Sequence, residues 1–157
     1  MTSIPSPDDL GVVFCAVSRE SDLPDWLSRD ALASFLHHTM QPWEDTLSDI
    51  QRAFDYCFST AEGKGGFIVL AAKDRQLLGA VVFLRTGMGG YVPGNLLLFV
   101  SVAPERRGRG LGRALIEQGL AQCDGPVKLH VEYDNPAKRL YERVGFTSKY
   151  AEMRYQP

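Results

Sequence analysis

Arg106-Arg107-Gly108-Arg109-Gly110-Leu111-Gly112-Arg113 is the stretch on which the reading of this 157-residue chain turns. It follows an apolar, strand-like run from Leu96 to Ala103 and opens a helix-like one from Gly110 to Gln122. Three glycines within residues 108–112 let backbone N–H groups turn toward a ligand without Cβ obstruction. The start of a helix adds its own unpaired donors and the positive end of its dipole. Strand, glycines and helix together read as an anion cradle. It is not a nucleoside-triphosphate loop, because Gly112 is followed by Arg113-Ala114 rather than by Lys-Ser or Lys-Thr. The dinucleotide fingerprint fails as well, since arginine occupies position 113 where a third glycine belongs.

A second block lies about one element further on. Val127 to Tyr133 alternates like a strand, Asp134-Asn135-Pro136 reads as a helix entry, and Ala137 to Val144 is a short helix ended by Gly145. Ala137, Leu140, Tyr141 and Val144 fall on one face of it.

The pattern R-x-x-G-x-G from Arg107 to Gly112, preceded by Val102-Ala103-Pro104, resembles the cofactor loop of the GNAT superfamily of acyl-CoA N-acyltransferases. Asn135 to Phe146, with its Leu-Tyr-Glu-x-x-Gly-Phe ending, is similar to the superfamily's second cofactor-side motif. The two motifs stand in the right order and span roughly residues 96–146. The resemblance implies a GNAT-type α/β (α+β) fold: a mixed, mostly antiparallel sheet with helices on both faces and a V-shaped splay between two central parallel strands. It implies acetyl-CoA as cofactor, held by Arg107, Gly108, Arg109, Gly110, Leu111, Gly112 and Arg113. The backbone at Val100 to Val102 would pair with the pantetheine amides, and Val102 N–H would polarise the acyl carbonyl. Tyr141 is implied as the proton donor to the leaving thiolate. Asn135 is assigned to the pantetheine arm and Asp134 to the helix cap, although Asp134 occupies the superfamily's more usual offset from the tyrosine. For the general base the choice lies among His130, Glu132 two residues on, and ordered water.

The function so implied is transfer of an acetyl group from acetyl-CoA to a primary amine, either a small amine or a protein amino terminus, by direct attack in a ternary complex. Two readings of other classes compete: a non-catalytic acyl-CoA-binding sensor and an arginine-rich RNA-binding domain. RNA is disfavoured because the arginines cluster in one turn without interleaved aromatics.

The remainder of the chain reads as a single domain over residues 1–157, in the order strand, two helices, three strands, helix, strand, helix, strand. The first strand is Gly11 to Ser18, and the helices are Pro24 to Met40 and Pro42 to Ser59. In the second of these Trp43, Leu47, Ile50, Phe54 and Cys57 are expected to face the core. Phe67 to Lys73 and Gln76 to Thr86 flank Asp74-Arg75 as a tight hairpin, Leu96 to Ala103 follows, and Tyr150 to Tyr155 is the expected closing strand. Residues 1–62 carry a net charge of −8 and residues 63–157 one of +6, which suits a cationic acceptor and a polyanionic cofactor as well as two ordinary solvated surfaces. The polar Met1–Gly11 segment does not read as a targeting signal, and the longest apolar run is too short to span a membrane. Three scattered cysteines and the adjacent His37 and His38 suggest reduced thiols in a cytoplasmic protein and no metal site. Acceptor identity, acyl chain length and oligomeric state stay open, a homodimer included.

Overall fold

Asp74 and Arg75 both adopt positive φ, 51° and 61°. They join β2 (Gly66–Lys73) to β3 (Gln76–Arg85) as the expected two-residue hairpin. This computed structural model describes residues 11–157, and the Met1–Leu10 part of the segment read for targeting lies outside them. The hairpin extends on one side to β1 (Val13–Val17) and on the other to β4 (Asn95–Val102) and β5 (Val127–Lys128), giving a five-stranded sheet in the order β1-β2-β3-β4-β5. All neighbours are antiparallel except β4 and β5, which pair in parallel at Asn95–Val127 and Leu96–Lys128. Past those two pairs no ladder joins them, and among the described residues no strand pairs with the edge of β4 from Leu97 to Val102 on that side. Asn95 is a buried polar residue that fixes the junction: its Nδ2 donates to Asp124 O at 3.0 Å and to Pro126 O at 3.2 Å, at the entry to β5.

Two β-bulges interrupt the regular alternation of side chains. Leu78 is unpaired opposite the Ala71/Ala72 step, and Leu98 opposite the Val82/Phe83 step. Leu98 and Phe99 therefore pack on the same face, while Leu97, Val100 and Val102 pack on the other. Helices α1 (Arg29–Thr39) and α2 (Leu47–Cys57) bury Leu32, Leu36, Ile50 and Phe54 against the first face. The second face takes α3 (Leu111–Leu120) through Leu111, Leu115 and Ile116, and α4 (Ala137–Val144) through Leu140, Tyr141 and Val144. The mixed, mostly antiparallel sheet with helices on both faces is thus observed.

The boundaries show which local chemistry wins. The first two helices start later than the prolines suggest, because side-chain caps fix them: Ser28 Oγ accepts from Ala31 N at 3.0 Å and Thr46 Oγ1 from Asp49 N at 3.1 Å. Trp43 accordingly lies before α2, and Leu47 at its start is 44% exposed rather than core. Two expected strands need correction. The strand expected over 127–133 stops at Lys128, and residues 150–155 form no strand, with Tyr150, Met153 and Tyr155 more than 80% exposed. Alternating residues supply a face but not a partner; once β5 ends, its neighbour has no ladder to join.

Gly119 of α3 lies directly on the Phe83 ring: a Cβ there would sit 2.1 Å from Phe83 Cε2. Phe83 is fully buried and stacked on Phe67 with ring centroids 5.0 Å apart, so it cannot yield. Gly119→Ala should lower the unfolding free energy in urea by about 1–3 kcal/mol through overpacking, despite the better helix propensity of alanine. An unchanged urea midpoint would show that α3 can lift away from the sheet.

Candidate functional site

The end of β4 is turned by its hydrogen bonds. Ala103 N donates to Leu78 O at 2.8 Å, toward β3. By the alternation of an antiparallel ladder, the N–H and C=O of Val102 and Val100 then point to the open edge. A single turn of 3-10 helix, Pro104–Arg106, follows and leads into the glycine loop. Gly108 (φ +76°) and Gly110 (φ +85°) take left-handed conformations, and among the described residues a Cβ at either would meet nothing within 4 Å.

Gly110 caps α3 without a side chain. The first bond of the helix is Ala114 N to Gly110 O at 3.0 Å, so the N–H groups of Leu111, Gly112 and Arg113 have no intrahelical acceptor. Buried Leu111 anchors the first turn, and the backbone of Gly112 lies close to Val102 and Leu140, with a would-be Cβ 3.3 Å from Leu140 Cδ2. Unpaired donors, a helix dipole and unobstructed glycines fit a phosphate group, as the sequence suggests. Among the arginines, Arg113 pairs with Glu117 at 2.8 Å on the exposed face of α3. Arg107 turns inward instead: its Nε donates to Val102 O at 3.1 Å and its Nη2 to Thr39 O, the last residue of α1. Ser101 Oγ donates to Thr39 Oγ1 at 2.7 Å, and Thr39 Oγ1 donates to Phe35 O at 2.7 Å. No motif marks Ser101 or Thr39; the only available signal is that Ser101 is a polar residue within an apolar strand.

Tyr141 lies on the inner face of α4, packed against the cluster that holds Val102, with the Phe146 ring edge-on at 6.0 Å. Burial pushes its phenol up to about 12, so the hydroxyl keeps its proton throughout the neutral range. Asn135, rather than Asp134, makes the contact at the helix entry: its Oδ1 accepts from Ala137 N at 2.9 Å. Asp134 is exposed, and both residues border a cavity of about 550 Å³ with Tyr133, Pro136, Lys138, Arg139 and Glu142. His130 and Glu132 are exposed in the irregular segment after β5. The strand that was to aim both at the site is absent there.

Elsewhere, burial raises the Cys57 thiol to about 12 and also raises that of Cys123, which leaves neither suited to act as a nucleophile. His37 Nδ1 contacts Asp45 O at 2.9 Å and His38 Nδ1 contacts Ser34 O at 2.7 Å. Among the described residues no group of three His, Cys, Asp or Glu side chains is arranged to hold a metal ion, and no helix is long and apolar enough to cross a membrane.

This arrangement, a parallel pair of strands parted beside a glycine loop at a helix start, coincides with a known family. The model of the GNAT acetyltransferase domain matches residues 64–148, and the chain belongs to that family. A mycothiol acetyltransferase of Catenulispora acidiphila is 31% identical over 97% of this chain and 48% of its own length. Another, of Thermobispora bispora, is 32% identical over 99% of this chain and 53% of its own length. The chain therefore spans about half the length of the curated relatives it matches. A solved GNAT-family acetyltransferase from Streptococcus pneumoniae TIGR4 shares the fold, with a TM-score of 0.62 over 93% of this chain and 98% of that one at 15% identity.

Proposed function

We propose that this protein is an N-acetyltransferase that moves an acetyl group from acetyl-CoA to a primary amine by direct attack in a ternary complex. The observation that carries the reading is the open edge of β4 leading straight into the glycine loop and the start of α3, whose glycine cap offers no side-chain acceptor. One extended ligand with a phosphate at its end would meet all three. The thioester supplies the activated acetyl group. In this reading the backbone N–H groups of Gly108 to Arg113 hold the pyrophosphate, and the open-edge groups of Val100 and Val102 align the arm. Val102 N–H is the donor to the acyl carbonyl oxygen, and Tyr141 gives up the phenolic proton. Asn135 borders the arm from the start of α4. His130 is the proposed base; its exposure lets it move to the acceptor, and it equally suits delivery of the proton to water.

The acceptor is proposed as a small amine or a peptide amino terminus. The relatives named for mycothiol acetylation make mycothiol-related amines the first to try. The test is release of coenzyme A from acetyl-CoA across such a panel, with the acetylated product weighed by mass spectrometry. Amine-dependent release with a product 1:1 supports transfer; tight coenzyme A binding with no acetylated product from any amine would favour the sensor function. Run across pH with two amines of different basicity, the same assay decides on His130. If His130 is the base, the rising limb stays fixed when the amine is changed and flattens in His130→Ala. A limb that follows the amine belongs to the acceptor and removes His130 from the chemistry.

A further inference from the structure

We propose that Arg107 is a positioning residue that couples the cofactor side of the sheet to the opposite face, so that filling the glycine loop orders the end of α1 and the connection that follows it, residues 40–46. The proposal rests on coenzyme A as the loop's ligand. Arg107 belongs to the loop, yet its guanidinium is engaged by two backbone carbonyls of the protein itself. One arm of the fork holds Val102 O, an open-edge carbonyl of β4; the other holds Thr39 O, at the C-terminus of α1. That carbonyl is among the four that a helix leaves without an internal partner, and a cation there also meets the negative end of the helix dipole. The Ser101–Thr39 bond of 2.7 Å ties the same helix end to β4 from the other side of the sheet. Thr39 is thereby held twice, once by the strand and once by the loop.

Only the second hold depends on the state of the loop. Gly108 and Gly110 take positive φ, and among the described residues a Cβ at either would meet nothing within 4 Å. The N–H groups of Leu111, Gly112 and Arg113 at the adjoining helix start have no intrahelical acceptor, so a ligand bonded to them adds ties that the helix does not supply itself. A bound phosphate fixes the backbone, the backbone fixes the Arg107 fork, and the fork fixes Thr39. The connection from Met40 to Thr46 starts at that point, with Glu44 Oε2 buried and without a hydrogen-bond partner. Its order would thus report on the cofactor, and by linkage an acceptor that orders the connection would tighten cofactor binding by the same factor.

Hydrogen exchange on the full chain, with and without saturating coenzyme A, tests this. In the wild type, exchange over residues 36–46 should slow by roughly fivefold or more on binding, the lower end of ordinary coupling between sites. Arg107→Lys keeps the charge and the stem but replaces the fork by a single ammonium, and its protection should fall to less than about twofold while coenzyme A still binds. A merely structural arginine would lower the melting temperature and leave the ligand-induced protection intact. Ser101→Ala, which loosens the fixed hold without touching the loop, should instead preserve or enlarge the protection. Equal protection in wild type and Arg107→Lys would overturn the proposal. Loss of protection in Ser101→Ala with coenzyme A bound would do the same, and decides the matter should Arg107→Lys fail to fold. Absence of a coenzyme A binding signal in wild-type calorimetry would instead overturn the cofactor assignment.

Discussion

Tyr141→Phe should lower turnover by roughly 100-fold or more and leave coenzyme A affinity within about twofold of the wild type. The substitution keeps the ring, its edge contact with Phe146 and its place in the core of the second face, and removes only the phenolic proton. Burial holds that phenol near 12, so at neutral pH the proton is always present. A high value need not make the group a poor donor here. The same desolvation makes a departing thiolate more basic than in water, as the buried Cys57 thiol of this protein, also near 12, illustrates. Donor and acceptor are shifted in the same direction. It follows that an alkaline fall in turnover well below pH 12 arises from another group. Turnover measured together with calorimetric affinity and a melting curve checks the prediction. Equal turnover in the two proteins would reduce Tyr141 to a packing residue.

Gly110→Asp should weaken coenzyme A binding at least tenfold, or about 1.4 kcal/mol. Position 110 has φ +85° and free space around a would-be Cβ, so the mutant folds with backbone strain rather than a clash. Aspartate and asparagine tolerate that conformation better than other side chains and have nearly the same volume. Gly110→Asn therefore isolates the charge: it should lose only a few-fold in affinity, while the aspartate loses more, and salt should narrow the gap. Identical losses in the two mutants would mean that no phosphate approaches the start of α3.

The parts of the structure readable in the sequence are those set by residues close together in the chain. Asp74-Arg75 between two alternating runs fixed the hairpin, Gly145 with φ +122° ends α4 where expected, and the glycine loop sits where strand gives way to helix. The first two helices start five residues beyond Pro24 and Pro42, because the Ser28 and Thr46 side chains, and not the prolines, cap their first turns. What could not be read is non-local. The clasp of Arg107 on Thr39 joins residues 68 apart in sequence, and an arginine in a glycine-rich loop reads as a phosphate ligand when seen alone. The strand expected over 127–133 ends at Lys128, and the one expected over 150–155 does not form, for a related reason: a ladder depends on a neighbour that the local alternation does not encode.

The bulge at Leu98 falls two residues beyond Leu96, the last residue of β4 that pairs with β5. Because Leu98 and Phe99 share a face, loss of either would leave Ser101 toward α1 and Val102 toward α3, whereas loss of Val100 with the bulge kept would exchange the two faces from that point on. A bulge also bends and over-twists its strand. Without it β4 would run straighter, and β5 could continue to zip along it and fill the gap in which an extended ligand is proposed to lie. Natural insertions and deletions in this strand are thus constrained in two ways: by the count of residues, which keeps each side chain on its face, and by the irregularity itself, which keeps the two strands apart.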